Sequence, residues 1–392
     1  MGKGFRLGKI LGIVIDIDWS WILIFFLVTW NLAFGIFPAF HPQWSLFLNL
    51  AMGVIASLLF FGSVLLHELA HSTVAKARGI PVSKITLFLF GGVANIQKEP
   101  TSPKTEFLMA VVGPLTSIIL GLIFVFLGGI NTALQIFGNF ETSFSKLSPL
   151  STLLIWLGTI NILVALFNLI PGFPLDGGRV LRSIIWFVTK NFQKATFYAS
   201  ITGQSIAWLF IFMGISMIFG VSFPFFGSGL LAGVWIAFIG WFLKNAASAS
   251  FEKVLVEDIL KNTKVAVVMR TNIASVPPHI SVRSFVYDYI LGTDHHAFGV
   301  IEGNKLVGIV CLDDARKITS DKWGKVKVKE IMTPFKNLET IRPGQSAADA
   351  LDKLTERDIG QLPVLEKGEF LGMLNRRDIL LWLQLHAKNK QL

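Results

Sequence analysis

Six long apolar stretches, at about 19–38, 48–75, 107–129, 149–170, 197–220 and 229–243, dominate the first 243 of the 392 residues. A helix needs roughly 20 apolar residues to cross a bilayer. The sixth stretch is the shortest, and its start can reach back into Phe223-Pro224-Phe225. Two other pieces follow the period of a strand. Val14-Ile15-Asp16-Ile17-Asp18 alternates, which puts Asp16 and Asp18 on one strand face. Ile85 to Ile96 is also strand-like and is interrupted by Gly91-Gly92. From about residue 256 the pattern becomes strand, helix, strand, strand, helix, given twice. Phe298 to Gly308 (FGVIEGNKLVG) aligns with Leu362 to Gly372 (LPVLEKGEFLG) at a constant offset of 64, which also carries Asp314 onto Asp378. Val268-Met269-Arg270 echoes Ile331-Met332-Thr333 at an offset of 63.

Composition separates the two parts. The chain is 53% hydrophobic and 15% charged, with 35 Phe and 11 Trp, which points to an integral membrane protein. Residues 1–243 hold 13 Lys+Arg and 7 Asp+Glu, whereas residues 244–392 hold 22 and 18, the proportions of ordinary soluble protein. The net charge of +10 is no nucleic-acid signature, because many of the membrane-half cations flank the apolar spans on one side. Lys3, Arg6 and Lys9 predict a cytosolic N-terminus. Lys76, Arg78, Lys84, Lys98 and Lys104 fall on the same side, as do Arg179, Arg182, Lys190 and Lys194. The loops at 39–47, 130–148 and 221–228 carry almost no cations and are expected outside. Six spans then leave both termini in the cytosol. The N-terminus reads as an uncleaved first span, since no small-residue cleavage site follows its cations. Cys311 is the only cysteine, so there is no internal disulfide and no cysteine-based zinc site.

One short run carries chemistry. His67-Glu68-Leu69-Ala70-His71 is an H-E-x-x-H pattern, and the stretch Asn49 to Leu66 before it holds no charged residue. On a helix, His67 and His71 face the same way one turn apart. Two imidazoles so placed can bind one Zn²⁺, and the adjacent Glu68 can act as general base on water. Chance occurrence is about 0.004 per chain of this composition. The structural alternative is a pair of packing histidines with a buried glutamate, which would leave three polar groups in lipid without stated partners.

Catalytic zinc keeps three protein ligands and one open position. The other acidic residues of the membrane part are Asp16, Asp18, Glu99, Glu106, Glu141 and Asp176. Asp16 and Asp18 read as facing headgroups or cytosol. Glu141 lies on the far side, and Glu99 and Glu106 sit among lysines. Asp176 lies in Asn168-Leu169-Ile170-Pro171-Gly172-Phe173-Pro174-Leu175-Asp176-Gly177-Gly178-Arg179, directly after an apolar helix. The prolines stop that helix and the glycines permit a tight return, which can aim a carboxylate at the histidines. The alternative role for Asp176 is to cap the next helix, and the two roles are compatible.

The segments Phe61 to His71 and Asn168 to Arg179 resemble the site-2 protease family of intramembrane zinc metalloproteases. Phe90-Gly91-Gly92-Val93-Ala94 and Val112-Gly113-Pro114-Leu115 are similar to further family segments. The resemblance covers most of residues 1–245. It implies His67, His71 and Asp176 as ligands of one Zn²⁺ per chain and Glu68 as the base. Asn168 matches a polar residue that helps to hold substrate or the oxyanion. Ser117 stands where some members carry Asn and is given no role. Substrate has to present extended backbone, because a helix hides its carbonyls. A strand edge near Gly91-Gly92 can pair with an unwound segment, or those glycines only bend a hairpin.

The tail resembles a tandem pair of cystathionine-β-synthase (CBS) domains over roughly 256–385. Val328 to Pro334 is similar to the opening of such a domain, and Gly308 to Asp314 and Gly372 to Asp378 to its closing element. Such pairs bind adenine nucleotides, with Thr or Ser and Asp gripping the ribose. Asp314 and Asp378 are present, but Cys311 and Asn375 replace the hydroxyl residues. The alternatives are a dimerisation module or a gate without ligand.

The expected architecture is therefore a multi-pass α-helical membrane domain with about six spans and short membrane-associated β-strands, followed by a cytosolic α/β CBS pair. The expected divisions are 1–245, a linker at 246–255, and CBS domains at 256–322 and 323–392. The expected function is zinc-dependent cleavage of a membrane-anchored protein already trimmed by an earlier cut, in a prokaryotic plasma membrane. The CBS pair is expected to regulate it and to offer a surface for a homodimer. The competing expectation is a CBS-regulated transporter or channel. That reading predicts repeated or inverted halves in the membrane part, and none is found.

Overall fold

The structure, a computed structural model, describes residues 4–96, 98–129, 147–224, 227–272, 274–291, 293, 295, 297–303 and 305–387. Most of the expected outer loop at 130–148 lies outside the described residues, as does Phe225. The chain divides into two compact units, Met1–Phe251 and Glu252–Leu392.

The first unit opens on a hairpin, β1 (Phe5–Ile10) and β2 (Ile13–Ile17). β1 was not anticipated, because its Gly8 and two cations break the alternation. Helix α1 (Trp19–Phe40) carries a π-helical turn at Leu32–Ile36. Its N-cap is Asp18, whose carboxylate accepts from the Ser20 amide at 2.9 Å. Helix α2 (Leu46–Ala77) begins at the Ser45 cap and runs for 32 residues, about 48 Å at 1.5 Å per residue. That exceeds a hydrocarbon core of roughly 30 Å.

Strands β3 (Val82–Phe88) and β4 (Gly91–Ile96) follow, with the bend at Leu89 and Phe90 rather than at the glycines. The sheet order is β1-β2-β3-β4. β2 and β3 are parallel, and the two hairpins are antiparallel. The alternation read in the sequence is used here. Ile13, Ile15 and Ile85 are fully buried and pack with Leu69 and Ala75 of α2. The sheet therefore lies against the helix turns that carry the H-E-x-x-H run.

Helices α3 (Pro103–Gly129) and α4 (Pro149–Asn168) come next. After the proline turn come the short amphipathic α5 (Asp176–Thr189) and the long α6 (Phe192–Ile218) and α7 (Leu230–Asn262). Among the described residues, six helices are long and apolar enough to span a membrane: α1, α2, α3, α4, α6 and α7. Phe26, Leu50, Leu122, Phe126, Leu209 and Phe212 are exposed along them. A soluble surface would not carry so many; lipid is their complement. α7 continues well past the expected end at 243, so residues 246–255 are helical. The Ala- and Ser-rich sequence there contains no Gly or Pro. Ser248 and Ser250 bond back to the carbonyls of Lys244 and Ala246 at 3.1 and 2.9 Å.

The second unit holds a sheet of β5 (Ser275–Val276), β6 (Ala297–Glu302), β7 (Lys305–Cys311) and β8 (Thr333–Pro334), and the pair β9 (Gln361–Glu366) and β10 (Glu369–Asn375). Helix α8 (Leu312–Arg316) follows β7, α9 (Ala347–Glu356) precedes β9, and α10 (Arg376–Ala387) follows β10. Each repeat has its own apolar core, one around Phe285, Phe298 and Val310 and one around Leu354, Val364 and Leu374. Backbone bonds between Arg270 and Met373, at 2.8 and 3.0 Å, tie the repeats together.

Candidate metal centre

Helix α2 presents His67 and His71 one turn apart, both buried. α4 ends at Asn168, and the turn over residues 169–175 returns the chain so that Asp176 is the first residue of α5. The cap position falls on Leu175, with no side-chain cap bond, so the Asp176 carboxylate is not spent on capping. It turns to the histidines: Oδ2 lies 3.0 Å from His67 Nε2 and 3.1 Å from His71 Nε2, and the two Nε2 atoms are 3.1 Å apart. The sequence separation between Asp176 and His71 is 105 residues.

The other ring nitrogens are also engaged. His71 Nδ1 lies 2.5 Å from the Met109 carbonyl. A carbonyl only accepts, so Nδ1 carries the hydrogen and Nε2 turns a lone pair inward. His67 Nδ1 is 2.9 Å from the buried Ser117 hydroxyl. Both Met109 and Ser117 belong to α3. Between them, a Cβ at Gly113 would stand 2.8 Å from His67 Nε2 and closer still to His71 Nε2. The glycine leaves the space in front of the donors open.

This donor set fits Zn²⁺. Tetrahedral zinc with bonds of about 2.0–2.1 Å requires donors about 3.3 Å apart, and the triangle here has edges of 3.0, 3.1 and 3.1 Å. A carboxylate oxygen and two imidazole lone pairs meeting this closely in a buried place would repel without a cation among them. Two imidazoles with one carboxylate is also the donor chemistry that suits zinc.

Glu68 lies beside this triangle. A Cβ at Gly92 would come within 3.1 Å of the Glu68 Cδ, so the start of β4 runs against the carboxylate with only a glycine between. A cavity of about 540 Å³ is lined by His67, Glu68, Gly91, Gly92, Asn168 and Asp176. The structure thus gathers these sequence candidates at one place. Asn161 of α4 lines the same cavity and donates to Ser63 at 3.3 Å and to the Leu157 carbonyl at 2.8 Å. Ser117 was given no role from the sequence, and Asn161 was not picked out. The available signal was a polar residue inside an apolar span, which lipid makes costly. Asp16 pairs with Lys84 at 3.0 Å and Asp18 is a helix cap, which gives each a structural use.

In the second unit, Asp314 and Asp378 are each held by neighbours. Asp314 Oδ2 accepts from the amide and the thiol of Cys311, both at 3.0 Å, and Oδ1 pairs with Lys317 at 2.8 Å. Burial opposes its charge, but those bonds still hold the Asp314 carboxyl below the usual range. Burial and the same carboxylate push the Cys311 thiol up. Asp378 accepts from Arg270 Nε and Nη2 at 2.7–3.1 Å. A cleft of about 360 Å³ between the repeats is lined by Arg270, Asn272, His295, Cys311, Asn375 and Arg377; neither Asp314 nor Asp378 is in its lining.

The helical membrane unit, with this site inside it, is of the metalloprotease class. Peptidase family M50 matches residues 55–212, and the CBS domain matches 263–321 and 328–385. The chain is 36% identical over 390 residues to the "Putative zinc metalloprotease sll0528" of Synechocystis sp., covering 99% of this chain and 97% of that protein. It is 30% identical over 380 residues to the "Zinc metalloprotease MJ0392" of Methanocaldococcus jannaschii, covering 97% and 96%. The chain belongs to peptidase family M50: it is a zinc metalloprotease of the site-2 protease type with a tandem CBS pair. The transporter alternative is thereby set aside. Among solved structures, the "Site-2 Protease from Methanocaldococcus jannaschii" is 29% identical, with a TM-score of 0.43, over 64% of this chain and 95% of that one.

Proposed function

We propose that the chain cleaves membrane-anchored proteins within the bilayer, with His67, His71 and Asp176 holding one Zn²⁺ and Glu68 acting as general acid–base. The observation that carries this is the meeting of three donor atoms, two from the membrane helix α2 and one from the start of α5, beside the Glu68 carboxylate. Bound there, Zn²⁺ supplies Lewis-acid polarisation of the scissile carbonyl and acidifies water. Glu68 takes the proton from the attacking water and returns it to the leaving amine. The Met109 carbonyl and Ser117 keep the two imidazoles turned toward the site. Asn168 contacts substrate or the developing oxyanion from the cavity wall. Among the described residues β4 is the edge strand of its sheet, paired with β3, and its other edge can take an unwound substrate segment, entering next to Gly91 and Gly92.

The CBS pair modulates this activity, with an adenine nucleotide as its ligand and a homodimer as its assembly. Both termini are cytosolic, in a prokaryotic plasma membrane, and the substrate arrives trimmed by an earlier cut. The test is Glu68→Gln in the purified chain with a membrane-spanning peptide substrate. Zinc content is expected to stay at the wild-type level and cleavage to fall by about 10²–10⁴. A variant that cleaves at the wild-type rate would sink this reading.

A further inference from the structure

We infer that Arg182, through its buried pair with Glu106, is the positioning residue that sets Asp176 against the two histidines. This rests on the reading that His67, His71 and Asp176 hold the metal.

Asp176 opens α5, a helix with an unusual buried face. Its buried residues are Gly177, Gly178, Arg182 and Ser183, so no fully buried apolar side chain anchors it. Arg182 supplies the anchor. Its side chain is only 4% exposed. Nε donates to Glu106 Oε1 at 2.5 Å, and Nη2 faces the same oxygen and also reaches Glu99 at 3.3 Å. Nη1 reaches the Thr196 hydroxyl at 3.5 Å. The rings of Phe173 and Phe192 flank the guanidinium at 5.0 and 4.6 Å. One side chain thus grips α3 through Glu106, α6 through Thr196 and Phe192, and the turn before α5 through Phe173. Phe173 stands three residues before Asp176.

The far end of the pair has the same connection. Glu106 lies one helical turn before Met109, whose carbonyl orients His71, and on the helix that carries Ser117 against His67. The pair therefore ties the helix end bearing the carboxylate to the helix that orients both imidazoles. Stability does not explain it. A buried ion pair is seldom better than apolar packing, and Glu106 Oε2 is buried with no hydrogen-bond partner among the described residues. What the pair supplies is geometry, because a guanidinium fork fixes several partners at once where a lysine would offer one point charge.

The experiment uses the full chain in detergent, with Co²⁺ absorption reporting donor geometry and chelator competition reporting Zn²⁺ affinity. The double variant Arg182→Met/Glu106→Gln removes the pair without leaving a buried charge. Arg182→Lys keeps the charge and loses the fork, and it decides the matter if the double variant does not fold. Each is expected to weaken Zn²⁺ binding by about tenfold or more and to move the Co²⁺ spectrum toward that of Asp176→Asn. Ile184→Ala, which changes the exposed side of α5 away from the pair, is expected to leave the spectrum unchanged. Wild-type affinity and spectrum in the folded Arg182 variants would overturn the inference, as would an equal change in Ile184→Ala. His67→Ala separates the two levels. If it loses Co²⁺ while the Arg182 variants keep it, only the positioning role falls. If it binds Co²⁺ like wild type, the metal site and the positioning role fall together.

Discussion

Two glycines show how closely the site is drawn at the scale of single residues, and they predict opposite phenotypes. Gly113 faces the two Nε2 atoms, so a Cβ there occupies the donor space itself. Gly113→Ala is expected to lower retained zinc by about tenfold or more after desalting, with loss of cleavage following from loss of metal. Gly92 faces Glu68 instead. Gly92→Ala is expected to keep full zinc content while cleavage falls by about 10–100-fold, because a Cβ there would overlap the Glu68 Cγ and displace the base by about an ångström from where it works. Equal zinc loss in both variants would contradict this separation. The H-E-x-x-H run and the Asp176 turn were legible because their residue types and spacings are themselves chemical statements. Ser117 and Met109 were not. Ser117 is an ordinary polar residue until His67 is known to lie 2.9 Å away, and Met109 acts through a carbonyl that every residue possesses.

Among the elements, the first CBS repeat of the second unit offers a test away from the metal site. Asp314 sits in the first turn of α8 and satisfies the Cys311 amide at its start. Asp314→Ala is expected to cost about 1 kcal/mol locally, seen as faster amide exchange over residues 297–316 in the full chain. The sign of its pH dependence follows from the lowered carboxyl. The unfolded chain takes up the proton first as pH falls, so the stabilisation is complete above the ordinary aspartate range and is lost on acidification through the folded value. The alanine variant should lack that component, and an unchanged acid limb would refute it. Elements were predicted well where an apolar run was long or alternation was regular. α2, α3 and α4 lie within a few residues of their expected ends, and β2 and β3 appear where alternation placed them. α7 was cut short because apolar content, the signal for a span, stops near Leu243, while helical hydrogen bonding does not.

For the whole molecule, the arrangement of charges in the loops makes a prediction about sidedness. In a Cys311→Ser background, Gln43→Cys is expected to react with a membrane-impermeant maleimide on intact cells. Lys253→Cys is expected to react only after lysis, as an even number of spans with a cytosolic tail requires. Labelling of Lys253→Cys from outside would reverse the topology. With that sidedness, His67 and His71 would lie toward the cytosolic end of α2, within the turns that the β-sheet covers.

The class of the protein, the six apolar stretches, the tandem repeat and the candidate donors His67, His71 and Asp176 were all visible along the chain. Those properties are local: each is written in composition, period or a short run of reactive side chains. Packing between distant segments sets how α3 passes both imidazoles with a carbonyl, a hydroxyl and a glycine, and how Arg182 joins α5 to that helix. It also leaves Asp314 and Asp378 held by Cys311, Lys317 and Arg270. These are contacts between residues far apart in the chain, and no pattern along it encodes their distance.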